Sequence, residues 1–211
     1  MNENQSTSKH IRIKARTFVE SKLESPIIRL LVFLRLTPNT LTMLGLIIAC
    51  LSAYFASIGL LFPSGLIMIA SGAFDLLDGT LARATNRATQ FGALLDSLTD
   101  RISELIVLLG IMLFYLSEAN SAIEIVFVYT SAAGSIMVSY LRAKAESLNV
   151  ECTDGIMTRP ERVITLSVGL IVANWWEPAL FASLVIISVL TIGTALQRTI
   201  IIVKQIRTTD V

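Results

Sequence analysis

Histidine occurs once in this chain, as His10, and cysteine twice, as Cys50 and Cys152, far apart and with no Cys-x-x-Cys. That excludes a zinc site of the usual Cys/His kind and a disulfide framework, and leaves both cysteines as packing or loop residues. Charge is scarce as well: Asp, Glu, Lys and Arg make up 16% of the 211 residues, against 54% hydrophobic ones, and the net charge is +1. No nucleic-acid partner is expected. A polar start, with the first apolar run well inside the chain, predicts no cleavable signal peptide. What dominates instead is hydrocarbon. The mean hydropathy of +0.70 is too high for an ordinary soluble domain.

Six apolar stretches, at 39–60, 62–82, 92–116, 122–145, 162–176 and 178–203, each approach the ~20 residues that a bilayer core requires. They predict an all-α integral membrane protein of six transmembrane helices. Ahead of them, residues 8–35 interleave Ile11, Ile13, Phe18, Val19 and Leu23 with Lys9, Arg12, Lys14, Arg16 and Lys22. This pattern predicts an N-terminal amphipathic helix lying on an anionic membrane surface. The chain thus divides into a tail with its juxtamembrane helix, 1–35, and a transmembrane domain, 36–211.

Basic residues orient the spans. Lys and Arg precede the first span, Arg83 and Arg87 follow the second, and Arg142, Lys144, Arg159 and Arg162 lie between the fourth and fifth. Lys204 and Arg207 follow the sixth, whereas the loops near Leu60–Pro63, Ser117–Ser121 and Asn174–Pro178 contain no Lys or Arg. The positive-inside rule puts both termini on the cytoplasmic side of the cell membrane, with Trp175 and Trp176 as an outer interfacial anchor.

Acids appear where a span should have none: Asp75 and Asp78 in the second run, Asp96, Asp100 and Glu104 in the third. A central Asp costs about 2.5–3.5 kcal/mol on insertion scales, so four cost on the order of ten, less near the helix ends. Asp75 and Asp78 are i, i+3 and Asp96 and Asp100 are i, i+4, so each pair shares a helix face. A polar turn from Arg83 to Gln90 is expected to fold the two helices into a hairpin and bring the pairs together. Four hard oxygen donors without His or Cys suit Mg2+ or Mn2+, and suit two ions about 4 Å apart, an arrangement for polarising a phosphoryl group. Gly79, Ala82 and Gly92 leave room for a nucleotide or a facing helix.

The run Asp75-Leu-Leu-Asp78-Gly79-Thr-Leu-Ala82-Arg83, then Gly92, Asp96 and Asp100, resembles the signature of the CDP-alcohol phosphotransferases at every fixed position. The resemblance implies six transmembrane helices, a homodimer, and transfer of a substituted phosphoryl group from a CDP-diacylglycerol-type lipid to an alcohol, with release of CMP. It further implies that Asp75, Asp78, Asp96 and Asp100 bind the metals, and that Asp100 takes the proton of the acceptor hydroxyl. Pro38, Asn39 and Thr40, at the start of the first span, with Gly79, Arg83 and Thr89, would contact the CDP moiety. Glu104 lies outside the signature and has no assigned role.

The acceptor is read from basic residues on the same side. Ser139-Tyr-Leu-Arg142, Arg159-Pro-Glu-Arg162 and Gln197-Arg198 resemble the phosphatidylinositol-phosphate synthase branch of that family and its archaeal ether-lipid relatives. The usual Lys three residues after the serine is Arg142 here. The resemblance implies that Ser139, Arg142, Arg162 and Arg198 bind the phosphate of inositol 1-phosphate. Arginine forks suit that task, and an intramembrane Arg198 requires an anionic partner. A phosphatidylglycerophosphate synthase, taking glycerol 3-phosphate, would want arginines too. A cation transporter is the reading from another class, but an ion path would spread carboxylates through the membrane depth, and these gather at one end.

Overall fold

The computed structural model describes residues 26–118, 121–150, 152 and 155–209, and every regular element among them is a helix. Helix α1 is Pro26–Phe33, α2 Pro38–Ser57, α3 Leu61–Ala84, α4 Gln90–Ser117, α5 Ala122–Ser147, α6 Arg159–Val172 and α7 Pro178–Thr209.

The helix ends follow from local chemistry. Thr37, in extended conformation, opens α2 by accepting the Thr40 N–H at 3.3 Å, and Pro38 presets the first helical turn. Thr89 opens α4 in the same way, accepting the Gly92 N–H at 3.0 Å. Thr158 opens α6, and its hydroxyl donates to the Glu161 carboxylate across a capping-box spacing. Helix α2 closes at Gly59, whose φ of 78° lets the Leu60 N–H turn back to the Phe55 carbonyl at 2.9 Å. Asn86 (φ 51°) and Asn149 (φ 54°) close α3 and α5 by the same backbone bonds. These tight closures keep the end of α3 level with the start of α4, where the acids lie.

Helices α2, α3, α5 and α7 are long and apolar enough to cross a membrane. Helix α4 has the length, at 28 residues, but Asp96, Asp100, Arg101 and Glu104 interrupt its apolar sequence. Helix α6, at 14 residues, extends about 21 Å, short of a ~30 Å hydrocarbon core. The expected fifth span, 162–176, is thereby displaced: Trp175 and Trp176 are apolar in sequence, yet they lie in the turn before Pro178, which disfavours helix in the residue ahead of it. Of the expected amphipathic stretch 8–35, residues 8–25 lie outside the described residues. Its last part contains α1, whose Ile28 and Leu31 pack with Leu41 and Leu81.

Packing departs from a simple hairpin. Helix α2 lies against both α3 and α4, while α3 and α4, adjacent in sequence, barely touch. The reason is in the small residues. Gly110 on α4 admits the Ala53 backbone of α2, where a Cβ would overlap the Ala53 carbonyl oxygen. Ser52 and Ser64 each donate to the other's carbonyl at 2.9 Å, and Ser71 donates to the Gly45 carbonyl at 2.9 Å, tying α2 to α3. On the other side Ser131 and Ser188 join α5 to α7 at 3.0 Å. Such contacts hold helices together where lipid removes the hydrophobic drive for association. Outward faces are apolar, including Leu76, Phe91, Leu94, Leu98, Ile164 and Val189.

Candidate active site

The cleft between α3 and α4 is where the acids meet. Asp78 is buried and accepts a hydrogen bond from the Thr42 hydroxyl at 2.5 Å. Thr42 stands one turn into α2, so the wedge helix supplies a partner as well as spacing. Gly45, one turn further, faces Asp75, since a Cβ there would lie 3.4 Å from Asp75 Oδ1. Asp78 and Asp96 line one hollow and Asp96 and Asp100 a second beside it, so the carboxylates of the two helices gather as one cluster of like charge. Like charges held together need a counter-charge.

That cation comes from α6. Arg159 donates from Nη2 to Asp75 Oδ2 and stands with Nη1 2.7 Å from Asp100 Oδ1, bridging the two acid-bearing helices. The N-cap at Thr158 aims it, because Arg159 is the first helical residue behind that cap. Among the described residues no three acids enclose a single point closely enough to hold an ion as they stand. The donor set itself, four carboxylates of α3 and α4, offers only hard oxygens and fits Mg2+ or Mn2+.

Two hollows adjoin the cluster. One, of about 220 Å3, is lined by Pro38, Asn39, Gly79, Arg83 and Thr89, together with Thr42, Asp78, Arg87 and Asp96. Five of the six residues expected around CDP thus share one wall. Thr40 is not among them; its Oγ1 lies 2.8 Å from that of Thr37 at the α2 cap. The second hollow, of about 320 Å3, is lined by Ser139, Arg142, Arg162 and Arg198 with Asp96, Asp100 and Arg159. All four residues expected at the acceptor therefore come together. Asp96 borders both hollows, which puts the carboxylates between them.

The basic residues are engaged differently from one another. Arg162, 2% exposed, gives Nε and Nη2 to the two oxygens of Glu104 at 2.7 and 2.8 Å, and Ser135 donates to Glu104 at 2.8 Å. Glu104, unassigned from the sequence, is the buried partner of that guanidinium. Arg198 donates to the Val138 carbonyl at 2.6 Å. Arg142 is exposed and pairs with Glu146 at 3.1 Å. Sequence reasoning missed Thr42, Arg87 and the link from Arg159 to the acids. Arg87 was legible as a second arginine in the polar turn; the other two depend on which helices touch.

These features, an acid-lined cleft between membrane helices with two polar hollows, define a class that comparison makes specific. The profile of the CDP-alcohol phosphatidyltransferases matches residues 35–208. The archaetidylinositol phosphate synthase of Methanothermobacter thermautotrophicus is 32% identical over 173 residues, 82% of this chain and 86% of that protein. The phosphatidylinositol phosphate synthase of Mycobacterium tuberculosis is 30% identical over 183 residues, covering 84% of both chains. Its crystal structure with CDP-DAG bound superposes with a TM-score of 0.79 at 30% identity, over 84% of this chain and 92% of that one. The structure of the same enzyme with manganese and citrate gives 0.80, over 84% of this chain and 88% of that one. The chain belongs to the CDP-alcohol phosphatidyltransferase family. It is a membrane-embedded phosphotransferase of phospholipid biosynthesis.

Proposed function

We propose that the protein transfers a phosphatidyl group, or its archaeal ether-lipid equivalent, from a CDP-linked lipid to inositol 1-phosphate and releases CMP. The observation that carries this reading is the meeting of two hollows at Asp96, one walled by the signature residues of α3 and α4, the other by arginines. The names of the relatives in both comparisons point to the same acceptor.

In this reading Asp75, Asp78, Asp96 and Asp100 hold one or two divalent ions, in keeping with the manganese complex of the mycobacterial enzyme. Such ions polarise phosphoryl oxygens and stabilise charge on a leaving phosphate. The donor's CDP moiety lies along Pro38, Asn39, Gly79, Arg83 and Thr89, with Thr40 supporting the cap. The acceptor's phosphate rests on Ser139, Arg142 and Arg198. Arg162, its fork held by Glu104 and its Nη1 donating to the Met157 carbonyl at 3.4 Å, shapes the wall. The acceptor hydroxyl oxygen attacks the lipid-bearing β-phosphorus, the bond from that phosphorus to the bridging oxygen breaks, and CMP departs. Asp100 and Asp96 are the carboxylates on the acceptor side, and Asp100 receives the hydroxyl proton.

The proposal includes six crossings, with α4 and the short α6 completing the bundle, since both expose apolar faces: Leu109 and Leu113 on one, Ile164 and Val168 on the other. Both termini and the site are cytoplasmic at the cell membrane, by the distribution of Lys and Arg, and the enzyme is a homodimer, as the family resemblance implies. The test is a product assay of the purified protein with CDP-diacylglycerol and a panel of phosphorylated alcohols. Metal-dependent CMP release with inositol 1-phosphate is expected. Turnover with glycerol 3-phosphate and none with inositol 1-phosphate replaces this acceptor by the other.

A further inference from the structure

Two arginines three residues apart on α6 both meet acids, and they meet them on different terms. The Arg162–Glu104 pair is sealed, with side-chain exposures of 3% and 7%, and Ser135 completes the hydrogen bonding of the carboxylate. The Arg159 pairs are open: its side chain is 26% exposed and that of Asp100 23%, both bordering the 320 Å3 hollow. Arg159 Nε is buried without a hydrogen-bond partner, and Asp100 Oδ1, despite its closeness, accepts no well-directed hydrogen bond. A guanidinium built as a permanent strut would satisfy its donors as Arg162 does. Among the described residues this one is hydrogen-bonded to Asp75 alone, and its Nε and the Asp100 oxygen beside it are left unsatisfied.

We infer that Arg159 is a resident counter-cation of the carboxylate cluster, which divalent ions displace from between Asp75 and Asp100 toward the adjoining hollow. The inference rests on the reading of these carboxylates as metal ligands. Guanidinium and divalent ion serve the same need, compensation of a like-charged cluster within a low-dielectric bundle, and they claim the same oxygens. Binding of one therefore opposes binding of the other, and the antagonism is reciprocal. Arg159 keeps the cluster folded before metal arrives and weakens metal affinity by competing for it.

The test is Mn2+ binding to the full-length protein in detergent, followed by the resonance of free Mn2+, for wild type and Arg159→Gln. The variant is expected to bind Mn2+ at least about fivefold more tightly. In chelator its unfolding midpoint is expected below that of wild type, and added Mn2+ closes the gap, a pattern that mere loss of packing does not produce. Unchanged or weaker Mn2+ binding by folded Arg159→Gln overturns the inference alone. Failure of the wild type to bind Mn2+ overturns the metal reading and this inference with it. Should Arg159→Gln not fold, the wild type still decides: phenylglyoxal modification of Arg159, mapped by mass spectrometry, is expected to rise severalfold with Mn2+. No rise overturns the displacement.

Discussion

Arg162 and Glu104 form a two-pronged ion pair at 2.7 and 2.8 Å between α6 and α4, with both side chains almost wholly buried. Removing one partner leaves an uncompensated charge in the bundle, so Glu104→Ala is expected to cost about 3–5 kcal/mol. Replacing both, Glu104→Leu with Arg162→Met, is expected to restore most of that stability. Unfolding midpoints in detergent check it. Equal losses in the single and double variants would contradict a paired role.

Asp96 borders both hollows, and its replacement by Asn keeps shape while removing charge. Transfer is expected nearly to vanish in a protein that still folds and inserts, since removing an ionised side chain from a membrane helix lowers its insertion cost. Steady-state kinetics of the single variant measure the loss. Retention of more than about a tenth of the wild-type kcat, a barrier change under roughly 1.4 kcal/mol, speaks against a ligand role.

Arg142 offers the cleanest probe of the acceptor hollow, because it is exposed and its partner is Glu146 on the same helix. Arg142→Ala is expected to leave stability within about 0.5 kcal/mol. The KM for inositol phosphate should rise roughly ten- to over a hundredfold, as for a lost charge-assisted contact. The KM for the CDP-linked lipid should stay put. A rise confined to the lipid substrate moves Arg142 to the donor side.

Orientation is open to labelling. With Cys50 and Cys152 replaced by alanine, an impermeant thiol reagent is expected to reach Glu118→Cys from outside intact cells. Ser147→Cys should react only after the membrane is opened. Both positions are exposed, at the ends of α4 and α5. Reversed labelling turns the site to the outer face.

Much of this was legible because it is local. The spacing of Asp75, Asp78, Asp96 and Asp100 fixes which carboxylates share a face. What escaped depends on which helix touches which. Apolar periodicity does not say that α2 stands between α3 and α4, so Thr42 gave no sign of meeting Asp78, 36 residues away. Nor does it say that Arg159 reaches Asp75 across 84 residues while its neighbour Arg162 selects Glu104. The fifth apolar run, 162–176, differs in its bounds: the helix is Arg159–Val172, and Trp175 and Trp176 lie beyond its end.

Leu76, Phe91, Leu94 and Leu98 turn outward from the same helical turns whose other sides carry Asp75, Asp78 and Asp96. Exposed apolar and acidic walls therefore stand at one level of the bundle, on opposite sides of the same helices. A molecule that owns both a charged head and acyl chains can engage both walls while its chains stay dissolved in the bilayer. Its encounter with the enzyme is then lateral diffusion in a plane. The quantity that sets its saturation is the mole fraction of lipid in the membrane, and diluting the suspension with water leaves that unchanged.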